Sequence, residues 1–288
     1  MTDSATIQPS DHALALLEGA VDVHVHAGPD PYTERRMDAR QLARAAQTRR
    51  MSGIVLKSHE YPTQPIAWAL KDDFPALDIF GGIALDHGVG GLNPEALRIA
   101  LKLGTKVVWM PTFDAVHWRS HRPGRYFSSQ EPIQLLDDAG QLLPVIHDIL
   151  DLIAEHNAVL ASGHVSVEEG IPLVTSARER GIECVITHAS FWWPIDAQRS
   201  IAELGGFLEQ CAIVSYHSDA DTAVPQVMEQ VRAVGPGHTI LATDLGQAAN
   251  PDPPIGFALW IDRFLEEGFT AGEIQTMCRD NPGALLGL

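Results

Sequence analysis

Residues 21–26 read VDVHVH, and this short run begins the pattern that decides the fold. Its β-branched valines favour a strand, which Gly19 and Gly28-Pro29 bound on either side. The following segment, 38–50, has apolar residues at helical spacing, with Asp38 as its expected N-cap. A strand followed by a helix is therefore the first unit of the chain.

Seven more short apolar runs follow, and helical patterns separate them. Alternating strands and helices predict a parallel sheet, and eight such units favour a closed (β/α)8 TIM barrel of the α/β class. A doubly wound open sheet is the alternative. Expected caps at Asn93, Ser166 and Thr270 mark later helix starts. The later predicted strands are 53–59, 77–86, 105–112, 158–164, 182–188, 211–217 and 238–244, with a helix over 196–209 before the seventh.

The predicted fourth strand is followed by a long irregular stretch. Within it, residues 135–143 read LLDDAGQLL, which predicts a hairpin with a turn at Asp138-Ala139-Gly140. The length of 288 residues suits one barrel of roughly 250 residues with additions. We therefore predict a single TIM-barrel domain over 1–288, with an insertion at about 113–143.

Composition argues against several classes of protein. With 20 Lys+Arg against 37 Asp+Glu, the net charge of −17 opposes general nucleic-acid binding and, more weakly, binding to an anionic membrane. The three cysteines form no CxxC pair, no signal peptide is recognised and no apolar stretch is long enough to span a bilayer. No dinucleotide or P-loop motif follows a predicted strand. We expect a cytoplasmic protein with no nucleic-acid or membrane partner.

The 13 histidines are the unusual feature of the composition. Catalytic groups of a TIM barrel lie at the C-terminal ends of the strands, and several histidines collect there. His24 and His26 alternate on the first strand, so they share a face. One buried histidine alone is usually a hydrogen-bonded core residue, but the whole set predicts a metal site. The predicted ligands are His24, His26, His59, His164, His188 and Asp244.

The donor set limits the identity of the metal. Imidazole and carboxylate ligands suit Zn, Fe, Mn, Ni or Cu and oppose Ca. Six donors exceed the need of one tetrahedral ion, so two ions and one ion of higher coordination both stay open. His217, His87 and Glu60 are further candidates, as ligands or as groups of the pocket.

The ordered motifs HVH, GH (163–164), TH (187–188) and TD (243–244) resemble the amidohydrolase superfamily over nearly the whole chain. The resemblance implies metal-binding roles for His24, His26, His164, His188 and Asp244. Binuclear hydrolases of the superfamily usually carry a bridging Lys or Glu on strand 4. Here residues 107–112 read VVWMPT, with neither, whereas strand 2 offers Lys57 and His59. Lys57 is therefore predicted to act in catalysis, either carboxylated as a metal bridge or as a cation that holds an anion.

A wider set of motifs, which includes LKSH, GGLNP, SGH, THAS and TDLGQ, resembles one branch of the superfamily. That branch contains a TIM-barrel non-heme diiron monooxygenase of platensimycin and platencin biosynthesis. The resemblance implies two Fe, dioxygen as co-substrate, an external electron donor and a bulky diterpenoid substrate carried as a CoA thioester. Residue chemistry alone leaves open a Zn- or Mn-dependent hydrolase of an amide, ester or lactone, with Asp244 as base. A barrel that binds metal and ligand without chemistry is a third, less favoured class.

Segment 117–125, HWRSHRPGR, is a basic patch in an acidic chain. Its arginines, Arg119, Arg122 and Arg125, predict a clamp for an anionic handle such as the phosphates of CoA. The alternative is a solvated loop whose arginines pair with nearby carboxylates. Trp118, Phe191 and Trp192 are predicted to form an apolar wall for the substrate. The oligomeric state stays open, with a homo-oligomer as one candidate.

Overall fold

The computed structural model describes residues 8–124 and 128–288, and its eight parallel strands pair in the order of the chain. The sheet closes between its last and first strands, where the Asp244 N–H donates to His24 O (2.7 Å) and the His26 N–H to Leu245 O (2.8 Å). This confirms the predicted barrel, and the open-sheet alternative is wrong. The strands are β1 (Val21–His26), β2 (Gly53–Lys57), β3 (Asp78–Ala84), β4 (Val107–Trp109), β5 (Val159–Ala161), β6 (Cys184–Ile186), β7 (Phe207–Cys211) and β8 (Thr239–Ala242).

Helices alternate with the strands, and their capping residues agree with the sequence. Asp38 and Ser166 each form a capping box with the residue three positions later, and Asn93 and Thr270 also cap their helices. Such caps each contribute about 1 kcal/mol. The helices are α1 (Asp11–Leu17), α2 (Ala39–Thr48), α3 (Gln64–Leu70), α4 (Pro94–Lys102), α5 (Val116–His121), α6 (Pro144–Glu155), α7 (Val167–Glu179), α8 (Ala189–Trp192), α9 (Ile195–Glu203), α10 (Ala220–Val234), α11 (Pro253–Glu266), α12 (Ala271–Gln275) and α13 (Asn281–Leu286).

The seventh strand lies earlier than the sequence predicted. β7 is followed by a 3-10 helix over 212–216, so the predicted strand over 211–217 is wrong, as is the continuation of the preceding helix to 209. The physical reason is that β7 buries the polar side chains of Glu209 and Gln210, each 1% exposed, and so lacks an apolar run. This shift brings Glu209 inside the barrel.

The insertion after β4 combines a helix with a short hairpin. α5 begins beside a single parallel bridge between Ala115 and Ile133. The predicted hairpin is confirmed as one antiparallel bridge, Leu136 to Leu142, closed by a turn in which the Gly140 N–H donates to Asp137 O (3.0 Å). The insertion therefore lies on the side of the barrel where the strands end.

Two further features of the chain bear on the sequence predictions. The three cysteines are free and buried, and burial raises the pKa of both Cys184 and Cys278 to about 12. Among the described residues, no helix has both the length and the apolar character needed to cross a bilayer.

Candidate metal centre

The predicted metal ligands all lie at the C-terminal mouth of the barrel. β1 carries His24 and His26, and the others follow the ends of β2, β5, β6 and β8. A cavity of about 930 Å³ opens above them. Its wall includes His26, Lys57, His59, His164, His188 and Asp244, while His24 lies fully buried beneath.

Asp244 is the centre of this cluster. Its Oδ1 lies 3.1 Å from His24 Nε2 and 3.0 Å from His26 Nε2, and its Oδ2 lies 3.4 Å from His188 Nε2. Burial opposes its charge, but His24 and His188 hold the pKa of Asp244 well below its usual range. One ionised carboxylate therefore faces three imidazole rings.

The backbone at two of these residues is in the left-handed region. His188 and Asp244 have φ values of 52° and 50°. Few residues other than glycine adopt such values, and those that do are concentrated at functional sites. The folded chain therefore holds both side chains in place at a cost in backbone energy.

Several ring nitrogens in the cluster lack a partner. Both nitrogens of His164 and Nδ1 of His188 are buried without a hydrogen bond to any residue that the structure describes. Burial lowers the pKa of His164 well below 6.5 and that of His188 to about 4, so both rings are neutral and offer lone pairs. Leaving such atoms unsatisfied costs about 1–3 kcal/mol each. Because neutral imidazoles and one carboxylate are the donors that Zn, Fe and Mn accept, these residues fit a divalent cation.

Glu209 orients the first of the histidines. Both of its oxygens lie near His24 Nδ1, at 3.2 and 3.1 Å, and it also accepts from the backbone N–H of His188 at 3.2 Å. Burial disfavours its charge, but His24 lowers the pKa of Glu209 to about 2. The carboxylate therefore holds the Nδ1 proton of His24 and directs Nε2 towards Asp244, as outer carboxylates do in metal sites.

A hydrogen-bond relay orients His59 in the same way. His59 Nδ1 lies 2.6 Å from Thr112 Oγ1, and the Thr112 hydroxyl donates to Asp86. Asp86 also accepts from the backbone N–H groups of Thr112 (2.7 Å) and Asp114 (3.0 Å). With Nδ1 held in this way, His59 presents Nε2 to the site. Sequence reasoning named neither Thr112 nor Asp86.

Replacing Thr112 tests this relay. Thr112→Val keeps the shape but removes the hydroxyl, so a metal ion held by His59, as in a dinuclear site, should bind about tenfold more weakly. Thr112→Ser restores the hydroxyl and should bind as the wild type does. Chelator competition measures both affinities, and equal affinities for the valine variant and the wild type would contradict the assignment.

Lys57 lies within the cluster rather than beside it. Its Nζ is 2.9 Å from His24 Nε2 and 5.1 Å from the centre of the Trp109 ring on β4. Burial lowers the pKa of Lys57 from 10.5. Strand 4 thus presents an indole to the cluster, and a lysine reaches the same region from strand 2.

The predicted substrate residues are only partly brought together. Trp118, Arg122 and Phe191 line the cavity, and Trp192 packs edge-on against Trp118 at 5.7 Å. Arg119 instead forms a partly buried ion pair with Asp114; the alternative had also paired the arginines with nearby carboxylates, but in a solvated loop. The third predicted arginine, Arg125, lies outside the described residues.

The remaining candidates lie at the margin of the site. His217 lines the main cavity and stacks on Phe191 at 5.5 Å. His87 and Glu60 line a neighbouring cavity of about 470 Å³, where His87 Nε2 lies 2.8 Å from Glu131 O. These positions place all three outside the Asp244 cluster.

A family model described as "Family of unknown function (DUF6282)" matches residues 19–209, more than half of the chain. The chain belongs to this family. The match includes the ligand candidates from His24 to His188 and also Glu209, but it ends before Asp244. No curated protein matches the sequence.

Solved structures show what the fold is similar to. An amidohydrolase from Pseudomonas aeruginosa matches with a TM-score of 0.66 and 11% identity, over 97% of this chain and 98% of that one. A lactonase from Listeria monocytogenes gives 0.63 and 11%, over 94% and 95%. An organophosphorus hydrolase from Deinococcus radiodurans gives 0.59 and 12%, over 99% and 100%. At these identities the likeness shows an amidohydrolase-like barrel, and the reaction has to be argued from the site.

Proposed function

We propose that this protein is a metal-dependent hydrolase of an amide, ester or lactone. The observation that carries the proposal is the Asp244 carboxylate, ionised and in contact with three imidazole rings at the floor of a cavity. The activities named for the amidohydrolase, the lactonase and the organophosphorus hydrolase of similar fold support it. We propose a small-molecule substrate and no nucleic-acid partner.

The ligands of the metal follow from the contacts. His24, His26, His188 and Asp244 would hold it, and the unpartnered ring of His164 is a further donor. A divalent cation at this position would polarise the substrate carbonyl and lower the pKa of a bound water. Zn and Mn both suit the donors.

The chain's own groups supply the proton transfers. Asp244 is ionised, so it accepts a proton from the attacking water and returns it to the leaving group. Glu209 faces the Nδ1 side of His24, and an Nδ1–H held there would leave Nε2 for the metal. Trp118 and Phe191 line the cavity and add apolar surface to its wall.

A diiron monooxygenase is the second candidate. What favours it is the extra donor on strand 2: His59 is oriented by its own relay, while β4 offers Trp109 in place of a bridging carboxylate or lysine. Histidine-rich sites suit iron and dioxygen. On this proposal the cluster would hold two Fe, which with dioxygen and an external electron donor would supply the chemistry for hydroxylating a diterpenoid CoA thioester. A cavity of about 930 Å³ suits the bulk of such a substrate.

Anaerobic turnover separates the two candidates. We expect protein loaded with Zn²⁺ or Mn²⁺ to hydrolyse members of a lactone, ester and amide panel without dioxygen. A chelator should abolish the activity and added metal should restore it. An oxygenase instead requires iron, a reductant and dioxygen. If no member of the panel is hydrolysed and iron-loaded protein consumes dioxygen, the hydrolase proposal is wrong.

The variant His59→Ala distinguishes the hydrolase from the oxygenase by its metal content. A hydrolase with one metal held around Asp244 should keep that metal, whereas a dinuclear oxygenase should lose one equivalent. Metal content per chain measures the difference.

A further inference from the structure

Arg35 reaches the cavity from the loop that follows β1. Its side chain is 6% exposed, and its Nη2 lies 3.3 Å from His26 Nδ1. The guanidinium therefore lies directly beside the proposed metal ligands. Neither the proposed hydrolysis nor the oxygenase alternative assigns it a role.

Asp30 fixes the direction of this guanidinium. Its Oδ2 accepts from Arg35 Nε at 2.8 Å and from Nη2 at 2.6 Å. Its Oδ1 is held by the backbone N–H groups of Tyr32 (2.9 Å) and Thr33 (2.7 Å). The arginine is thus oriented before any ligand arrives, which reduces the entropy that binding would cost.

The loop itself is attached to the segment after β8. Arg35 forms an antiparallel bridge with Gln247, and the Arg36 N–H donates to Gly246 O at 2.8 Å. Gly246 has a φ of 139°, and a Cβ there would lie 2.1 Å from His26 O, so only glycine allows this approach. The contact ties the position of Arg35 to that of Asp244.

Part of the guanidinium is left for a ligand. Asp30 accepts from Nε and Nη2, His26 Nδ1 lies 3.3 Å from Nη2, and among the described residues Nη1 makes no hydrogen bond. Arg35 is part of the cavity wall, so its Nη1 group adjoins the space where a substrate would lie. An enclosed cationic donor without an acceptor is costly, and an anion would satisfy it.

Other basic side chains on the cavity wall lie near Arg35. Arg35 and Arg122 are guanidinium groups of the wall and Lys57 is its amine, against the carboxylates of Asp219 and Asp244. Since Asp30 already offsets the charge of Arg35, a monoanion fits better than a phosphate dianion. Phe191 and Ile213 on the same wall add apolar surface for the rest of the ligand.

We propose that Arg35, positioned by Asp30, binds a carboxylate of the substrate, so that the substrate is an apolar molecule that carries a carboxylate near the bond to be broken. The inference rests on the proposed hydrolase function in so far as the bound carboxylate belongs to a substrate. Binding of a carboxylate by Arg35 does not depend on that function. It places the reacting group within a few ångströms of His26 and Asp244.

Calorimetric titration of the metal-loaded protein tests the site with three probes. These are benzoate, the uncharged benzamide and phenyl phosphate. We expect benzoate to bind best, and Arg35→Gln to weaken its binding by roughly 10- to 100-fold, the effect of one charge-assisted contact. Arg36→Gln is the matched control, because Arg36 is the next residue but pairs with Asp252 at 2.5 Å, where both side chains are about 40% exposed.

The double variant Asp30→Asn/Arg35→Gln covers the case in which Arg35→Gln fails to fold, because it removes both buried charges together. The proposal is overturned if wild-type protein does not bind benzoate, if benzamide or phenyl phosphate binds at least as tightly, or if benzoate binds the folded variants as it binds the wild type. Metal content and hydrolytic turnover of the same samples separate this failure from failure of the proposed function. Arg35→Gln should keep its metal in either case.

Discussion

Asp244→Asn is expected to reduce hydrolytic turnover by about 10²- to 10⁴-fold, the range typical of a lost general base. The amide accepts no proton at neutral pH and is a poorer metal ligand than the carboxylate. It also removes the negative charge between His24 and His26, where Oδ1 now lies 3.1 and 3.0 Å from their Nε2 atoms. Because asparagine tolerates left-handed backbone, the φ of 50° at this position is retained and the fold should survive.

The measurement is kcat on the best substrate of the panel, with circular dichroism as the check of folding. Asp196→Asn is the matched control, because its carboxylate is 95% exposed and lies on α9, away from the cavity. Its turnover should equal that of the wild type. Near-normal kcat for folded Asp244→Asn would show that Asp244 does not act as the base.

Glu209→Gln is expected to weaken metal binding by about 10- to 100-fold, the usual effect of losing an outer carboxylate. Glutamine lacks the negative charge that faces His24, and its –NH2 group would replace Oε1, which lies 3.2 Å from His24 Nδ1. The –NH2 group of the glutamine would then face the Nδ1–H of His24, so that two donors oppose each other. His24 is then free to turn, and saturating metal should restore most of the turnover.

Stability against acid provides a second readout for Glu209 in metal-free protein. Its pKa lies near 2, below the ordinary 4.5, so its ionised form stabilises the fold above about pH 4.5. That contribution is lost as the pH falls towards 2, and Glu209→Gln should remove it. Glu203→Gln, at an exposed position of α9, should retain it. Identical acid unfolding of wild type and Glu209→Gln would contradict the assigned contact.

The sequence predicted the barrel and most of its mouth for a simple reason. Parallel strands that are buried on both faces read as short apolar runs, and β1 was placed to the residue. Polar residues at the ends of such runs then fall at one end of the barrel. That rule is enough to bring His24, His188 and Asp244 together without knowledge of any contact.

The sequence could not predict groups whose role depends on distant partners. Glu209 was missed because β7 buries polar residues, and a carboxylate in the segment FLEQC (207–211) was the only available signal. Asp86 and Thr112 follow the neighbouring strands β3 and β4, and only their contact shows that they form a relay to His59. Arg119 was predicted to clamp an anion because segment 117–125 contains no acid, but its partner Asp114 lies just outside that segment.

The central claim is that the histidines around Asp244 bind a divalent metal, and metal content per chain tests it most directly. Elemental analysis of purified protein should find at least about one equivalent of Zn, Mn or Fe, which a chelator removes. His24→Ala should lose that metal, because His24 supplies the Nε2 atom that lies 3.1 Å from Asp244 and that Glu209 orients. A folded wild-type protein that binds none of these metals when they are added, or a folded His24→Ala variant that keeps its full equivalent, would contradict the account.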